Sequence, residues 1–201
     1  MTDKKIINKA KKYVNKLLVP LEQHYYHSYN HAIEVMDRSI YLAKKEWLSE
    51  EDIEMLWLAW LFHDTWFIIQ YDKNEPIWAK IASNYLKSIL YSEEKIKIIE
   101  RLILATDPDY KAAKDIYEKI IKDADMDNLG RDDFVERANS LKKELEVIKE
   151  IKIKDPEWNH WLIDLLKEHQ YKAFTQKAER DTQKDENLKK MLHELENSDE
   201  I

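Results

Sequence analysis

One glycine, Gly130, serves a chain of 201 residues. Tight turns need residues that tolerate positive φ, and glycine is their main supplier, so a sandwich or barrel of many short strands has almost nothing to turn with. The four prolines, Pro20, Pro76, Pro108 and Pro156, do not make up the shortfall. The same scarcity removes glycine-rich phosphate loops, because neither G-x-G-x-x-G nor G-x-x-x-x-G-K-[ST] can be written with a single glycine. There is no cysteine either. Disulfides, thiolate nucleophiles and thiolate-held zinc or iron–sulfur centres are therefore out of reach, and any metal must be held by His, Asp and Glu.

What remains is helix. Between Lys5 and Val19, Ile6, Ile7, Ala10, Tyr13, Val14, Leu17 and Leu18 recur every three or four residues until Pro20 stops the pattern. The lysines around that helix read as its solvated face. A second helix is expected from near Ser28 to Trp47. Ser49 then caps a third, with Glu50, Glu51 and Asp52 in a first turn where the helix dipole favours acids. From Ile53 to Phe62 that helix is apolar almost all round, so it belongs in the middle of the protein, and it ends in His63-Asp64.

Thr65–Lys73 shows no clean period. Pro76 opens the next helix and Ser92 caps another, which runs to Ala105. Further helices are expected over Ala112–Asp127, closed by Gly130 as a left-handed cap, over Asp133–Ile148, and from Asp155-Pro156 onward. The tail, Glu168–Glu196, has few apolar residues per turn and is expected at the periphery. The fold class is all-α, eight or nine helices in one domain over 1–201. A metal-site core over about 21–134 is expected, with C-terminal helices, 135–196, packed on it.

With 33 basic and 40 acidic residues the net charge is −7, which gives no overall attraction to phosphate backbones or anionic lipid. Nucleic acid and membrane partners are not expected. The longest apolar run, Met55–Phe62, falls far short of the ~20 residues that cross a bilayer. The lysine-rich N-terminus has no apolar signal region, so a cytoplasmic location is expected.

Three elements could carry chemistry. His27 and His31 stand four apart at the head of the second helix, on one face if both are helical. Asp64 follows an entirely apolar helix, where a carboxylate is costly to bury unless it pairs or ligates a cation; emergence into water is the plain alternative. The third is Asp123-Ala124-Asp125-Met126-Asp127-Asn128-Leu129-Gly130, whose acids at every second position cannot share one helical face. A calcium loop started at Asp123 fails at Asn128 and Phe134. Started at Asp125 it places Asp127, Gly130 and Glu136 suitably, but Leu129 offers no side-chain oxygen.

Taken together, His31, His63-Asp64 and Asp125 resemble the signature of the HD-domain superfamily of metal-dependent phosphohydrolases. The likeness is closest to predicted HD phosphohydrolases of about this length. It shows in Tyr26-His27-Ser28-Tyr29-Asn30-His31, Phe62-His63-Asp64, Asn74-Glu75, and Asp123-Ala124-Asp125 through Gly130-Arg131-Asp132-Asp133-Phe134. It runs from about Leu21 to at least Phe134, and more loosely through Lys184–Leu192. Tyr26-His27-x-x-x-His31-Ala32-x-Glu34-Val35 is also similar to a segment of cyclic-nucleotide phosphodiesterases.

The resemblance implies that His31, His63, Asp64 and Asp125 hold a metal and that His27 donates a proton to the leaving oxygen. Asn74, Glu75 and Asp127 are candidates for supporting a ligand or the substrate. Trp78-Ala79 stands where the family usually has Ser-Ala, and no histidine occurs between Asp64 and His160, so one divalent ion is expected rather than two. A mixed N/O ligand set suits manganese, iron, nickel, cobalt, zinc or magnesium without selecting among them. The implied activity is hydrolysis of a phosphate monoester or diester on a small phosphorylated substrate, a nucleotide, by a metal-activated water. The alternatives are a non-catalytic metal- or nucleotide-binding regulatory module and, third, a di-iron oxygenase on the same scaffold.

Overall fold

A computed structural model describes residues 4–18, 25–63 and 74–198. Among them are nine α-helices and no strand: α1 Lys4–Leu18, α2 Tyr29–Lys45, α3 Glu50–His63, α4 Glu75–Ser88, α5 Glu93–Leu104, α6 Ile116–Asp125, α7 Phe134–Ile148, α8 Asp155–Glu168 and α9 Phe174–Ser198. A short 3-10 turn, Asp127–Gly130, links α6 to α7. No described helix is long and apolar enough to cross a membrane.

α3 lies at the centre, as its all-round apolar sequence demands. Every residue from Ile53 to His63 is buried, and α1, α2, α4 and α5 pack around it. Its start is fixed by a reciprocal cap. The Ser49 hydroxyl accepts from the Asp52 amide at 3.2 Å, and the Asp52 carboxylate accepts from the Ser49 amide at 3.1 Å. α1 lays Ala10 and Val14 against this core, and Tyr13 stacks on Tyr85 with ring centroids 4.4 Å apart. A second cluster joins Leu129, Phe134, Trp158, Leu162, Tyr171 and Met191 between the 3-10 turn, α7, α8 and α9.

A chain with one glycine must close its helices some other way. Trp47, Leu90 and Glu150 take positive φ (62°, 60° and 52°) just past α2, α4 and α7. After each, the next amide bonds back to a helix carbonyl: Leu48 to Ala43, Tyr91 to Leu86 and Ile151 to Glu146. These are glycine-type helix terminators built without glycine. Gly130, expected to be such a terminator, is not one, since no glycine has positive φ. It is there for space. A Cβ at Gly130 would meet Arg180 Cβ and the Arg180 carbonyl at 2.6 Å, and the Tyr171 hydroxyl at 3.0 Å.

Two boundaries differ from expectation. α6 begins at Ile116 rather than Ala112, because Asp115 is extended and its carboxylate accepts from the Glu118 amide at 2.9 Å. It stops at Asp125, and the chain tightens into the 3-10 turn before Gly130. The tail is not peripheral. α9 packs on the 3-10 turn, α8 and α2, and Gln176 within it is fully buried. It docks through a few apolar residues, Met191 with Leu188, Leu192 and Leu195, and through polar contacts of Gln176 and Arg180, which is why low apolar density misread it.

Candidate metal centre

The ends of three helices meet at one point. His31 lies one turn into α2, whose first turn is set by the Ser28 hydroxyl accepting from the His31 amide at 3.3 Å. His63 closes α3 and Asp125 closes α6. One ligand atom from each of these three lies within 4.8 Å of the other two. Both histidines are buried and Asp125 is partly open to solvent. Asp64, the fourth expected ligand, lies outside the described residues.

The donor chemistry fits a divalent cation. His63 Nδ1 sits 2.7 Å from the Trp60 carbonyl oxygen, which can only accept. Nδ1 therefore carries the proton and the neutral ring presents the Nε2 lone pair. Nε2 in turn stands 3.8 Å from Asp125 Oδ1, longer than a hydrogen bond. An imidazole fixed through its second nitrogen by a backbone carbonyl is a usual arrangement for a metal ligand. Aromatic rings hold it in place: Trp60 edge-on at 4.2 Å and Trp78 at 6.1 Å.

His27 is not helical. It precedes the Ser28 cap, so the helical-face argument for pairing it with His31 does not apply. The two rings are nonetheless 5.8 Å apart, with Tyr26 against both. What places His27 is Glu144 of α7, a fully buried carboxylate that sequence reasoning missed. Glu144 Oε1 lies 2.5 Å from His27 Nδ1, and Oε2 accepts from the Tyr26 and His27 amides at 2.8 and 2.9 Å. Any proton His27 delivers therefore leaves from Nε2.

The acids on either side of Asp125 serve α9. Buried Asp123 accepts from the Lys172 and Ala173 amides at 2.8 and 2.6 Å; burial pushes its carboxyl up to about 6, against those amides. Asp127, a candidate for supporting a ligand, instead takes Arg180 at 2.7 Å, Arg38 at 2.8 Å and Gln176 at 3.0 Å. With Asp125 facing His63, Asp127 held by guanidinium groups and Glu136 exposed on α7, the calcium-loop register does not form. Asn74 and Glu75 are buried at the start of α4, whose Trp78 touches His63; Glu75 is not in the His31–His63–Asp125 group.

The family comparison agrees with this geometry. The HD domain family model matches residues 28–127, which contain His31, His63 and Asp125. No curated protein and no solved structure matches the chain. HD domains bind divalent metals and are generally hydrolases of phosphorylated compounds. Helices ending in His and Asp around one point, with the matched segment spanning all of them, place this chain, through residues 28–127, in the HD-domain superfamily.

Proposed function

We propose that this protein is a metal-dependent hydrolase that cleaves a P–O bond in a phosphate monoester or diester of a small, nucleotide-class substrate. In this reading His31, His63, Asp64 and Asp125 hold one divalent cation, and His27 is the general acid. The observation that carries it is the convergence of His31, His63 and Asp125 donor atoms within 4.8 Å.

A cation bound there would lower the pKa of its water toward neutrality and withdraw charge from a phosphoryl oxygen. The chain's own residues do the rest. The Trp60 carbonyl keeps His63 in the tautomer that presents Nε2. Glu144 fixes the His27 ring and stabilises its imidazolium form by accepting from Nδ1. Protonated His27 then gives its Nε2 proton to the departing oxygen as the P–O bond breaks, a role typically worth ~10²–10⁴-fold. Water supplies the oxygen that ends on phosphorus, so no covalent enzyme intermediate is needed.

The test is turnover of a panel of phosphomonoesters, phosphodiesters and nucleotides by protein purified without chelator. The reading predicts released phosphate or an opened diester, abolished in Asp125→Ala. Full turnover in metal-stripped Asp125→Ala would refute it, and metal-stabilised protein with no turnover across the panel would favour a regulatory module.

A further inference from the structure

Asp125 stands between two acids that are tied to the last helix. Asp123, two residues before it, takes the Lys172 and Ala173 amides just ahead of α9, and Asp127, two residues after it, takes Gln176 and Arg180 within α9. Gln176 is fully buried and reaches both sides of Asp125 with one nitrogen. Its Nε2 donates to the Asp123 carbonyl at 3.2 Å and to Asp127 Oδ1 at 3.0 Å. Its Oε1 accepts from Arg38 through Nε at 2.9 Å and Nη2 at 2.6 Å. A carbonyl and a carboxylate only accept and a guanidinium only donates, so these partners fix which way the amide lies.

Arg38 belongs to α2 and follows His31 by seven residues, which at 3.6 per turn returns it to nearly the same face. One buried amide therefore links the helix that carries His31 to the helix that ends in Asp125. The last carbonyls of a helix have no partner within it, and α6 ends at Asp125 itself, so the direction of its final turn depends on what lies outside. Gln176 takes the Asp123 carbonyl there, and the Tyr171 hydroxyl takes the Met126 carbonyl at 3.0 Å. Burying an amide is costly unless its groups are bonded, and the bonds of this one run to α2, to α6 and to the turn that follows α6. Gln176 lies outside the segment matched by the HD model, 28–127, so the family signature does not report it.

We propose that Gln176 is a positioning residue of the metal centre: it sets the separation between His31 and Asp125, so that affinity for a divalent cation depends on α9. The assignment rests on the metal-centre reading above for its cation, and it does not depend on turnover.

Manganese is titrated into metal-stripped wild type, Gln176→Leu and Ile99→Ala, the last a core deletion in α5 that touches none of these bonds. Gln176→Leu is expected to raise the Kd about tenfold, the lower end of the ~10–100-fold lost when a group that orients metal ligands is removed. It is also expected to shift the visible spectrum of bound cobalt, which reports ligand geometry. Ile99→Ala lowers the urea midpoint but keeps the wild-type Kd and spectrum. A folded Gln176→Leu with wild-type Kd and spectrum, or an equal rise in Kd in Ile99→Ala, overturns the positioning role. Should Gln176→Leu not fold, Arg38→Lys keeps the charge beside Asp127 but not the two-nitrogen grip on Gln176, and a raised or an unchanged Kd decides in the same way. No binding by the wild type overturns the metal centre and the positioning role with it. Binding without turnover of any phosphate ester rejects the hydrolase reading, and the Kd comparison still decides the role of Gln176.

Discussion

His63 Nε2 and Asp125 Oδ1 stand 3.8 Å apart, one at the end of α3 and the other at the end of α6. That is too long for a hydrogen bond and near the ~3–4 Å that separates two ligands each about 2.1 Å from a shared ion. The Trp60 carbonyl, by accepting from Nδ1, directs the basic nitrogen of His63 at that gap.

In the proposed mechanism Glu144 acts through His27, whose Nδ1 it holds. Glu144→Gln keeps the volume but cannot accept from the ring and from both amides as a carboxylate does. Its kcat is expected to fall at least about tenfold with metal content unchanged, and His27→Ala to fall ~10²–10⁴-fold. In the double variant the losses do not add, and activity matches His27→Ala alone. Additive losses would show that Glu144 only supports the fold.

Gly130 lets α9 close on the 3-10 turn. Gly130→Ala puts a methyl group 2.6 Å from Arg180 backbone and Cβ atoms, where no flexible side-chain end can yield. A loss of ~1–3 kcal/mol is expected from such overpacking, read by urea unfolding. An unchanged midpoint would mean that α9 docks elsewhere.

His169 makes stability depend on pH. Its folded pKa, about 4, lies below the ordinary 6.5 because burial, and then Lys184 and Lys172, disfavour the charged ring. Between these values the unfolded chain binds the proton and the folded one does not, so stability falls as pH drops from about 6.5 to about 4 and is fully present above that window. At ~1.4 kcal/mol per pH unit the loss approaches ~3 kcal/mol. Asp123, raised to about 6, has the opposite slope over part of the window. The difference in urea stability between wild type and His169→Gln at pH 7.5 and 4.5 isolates the histidine. A difference that does not change with pH contradicts this assignment.

Much of this architecture is legible in the sequence because it rests on local signals. The apolar run from Ile53 to Phe62 announces a central helix, Ser49 announces its cap, and His31, His63 and Asp125 carry a spaced signature that the fold brings together. Glu144 was missed because its partners are far away in the chain, although a glutamate three residues after Leu141 and four before Ile148, on an apolar stripe, was the available clue. Gly130 was misread because glycine answers to close approach as well as to φ, and only the position of Arg180 tells which. The role of α9 was hidden because its few apolar residues, Met191 with Leu188, Leu192 and Leu195, are only part of what holds it; Asp123 and Asp127, through backbone amides, Gln176 and Arg180, do the rest. Asp64 lies outside the described residues, so its place beside His63 rests on the family signature.

The most direct test is elemental analysis of wild type and Asp125→Ala, both purified without chelator and both shown by circular dichroism to be folded. The account predicts close to one divalent ion per chain in the wild type and almost none in the variant. Equal metal content in the two proteins, or none in either after incubation with manganese, iron, nickel, cobalt and zinc, would contradict it.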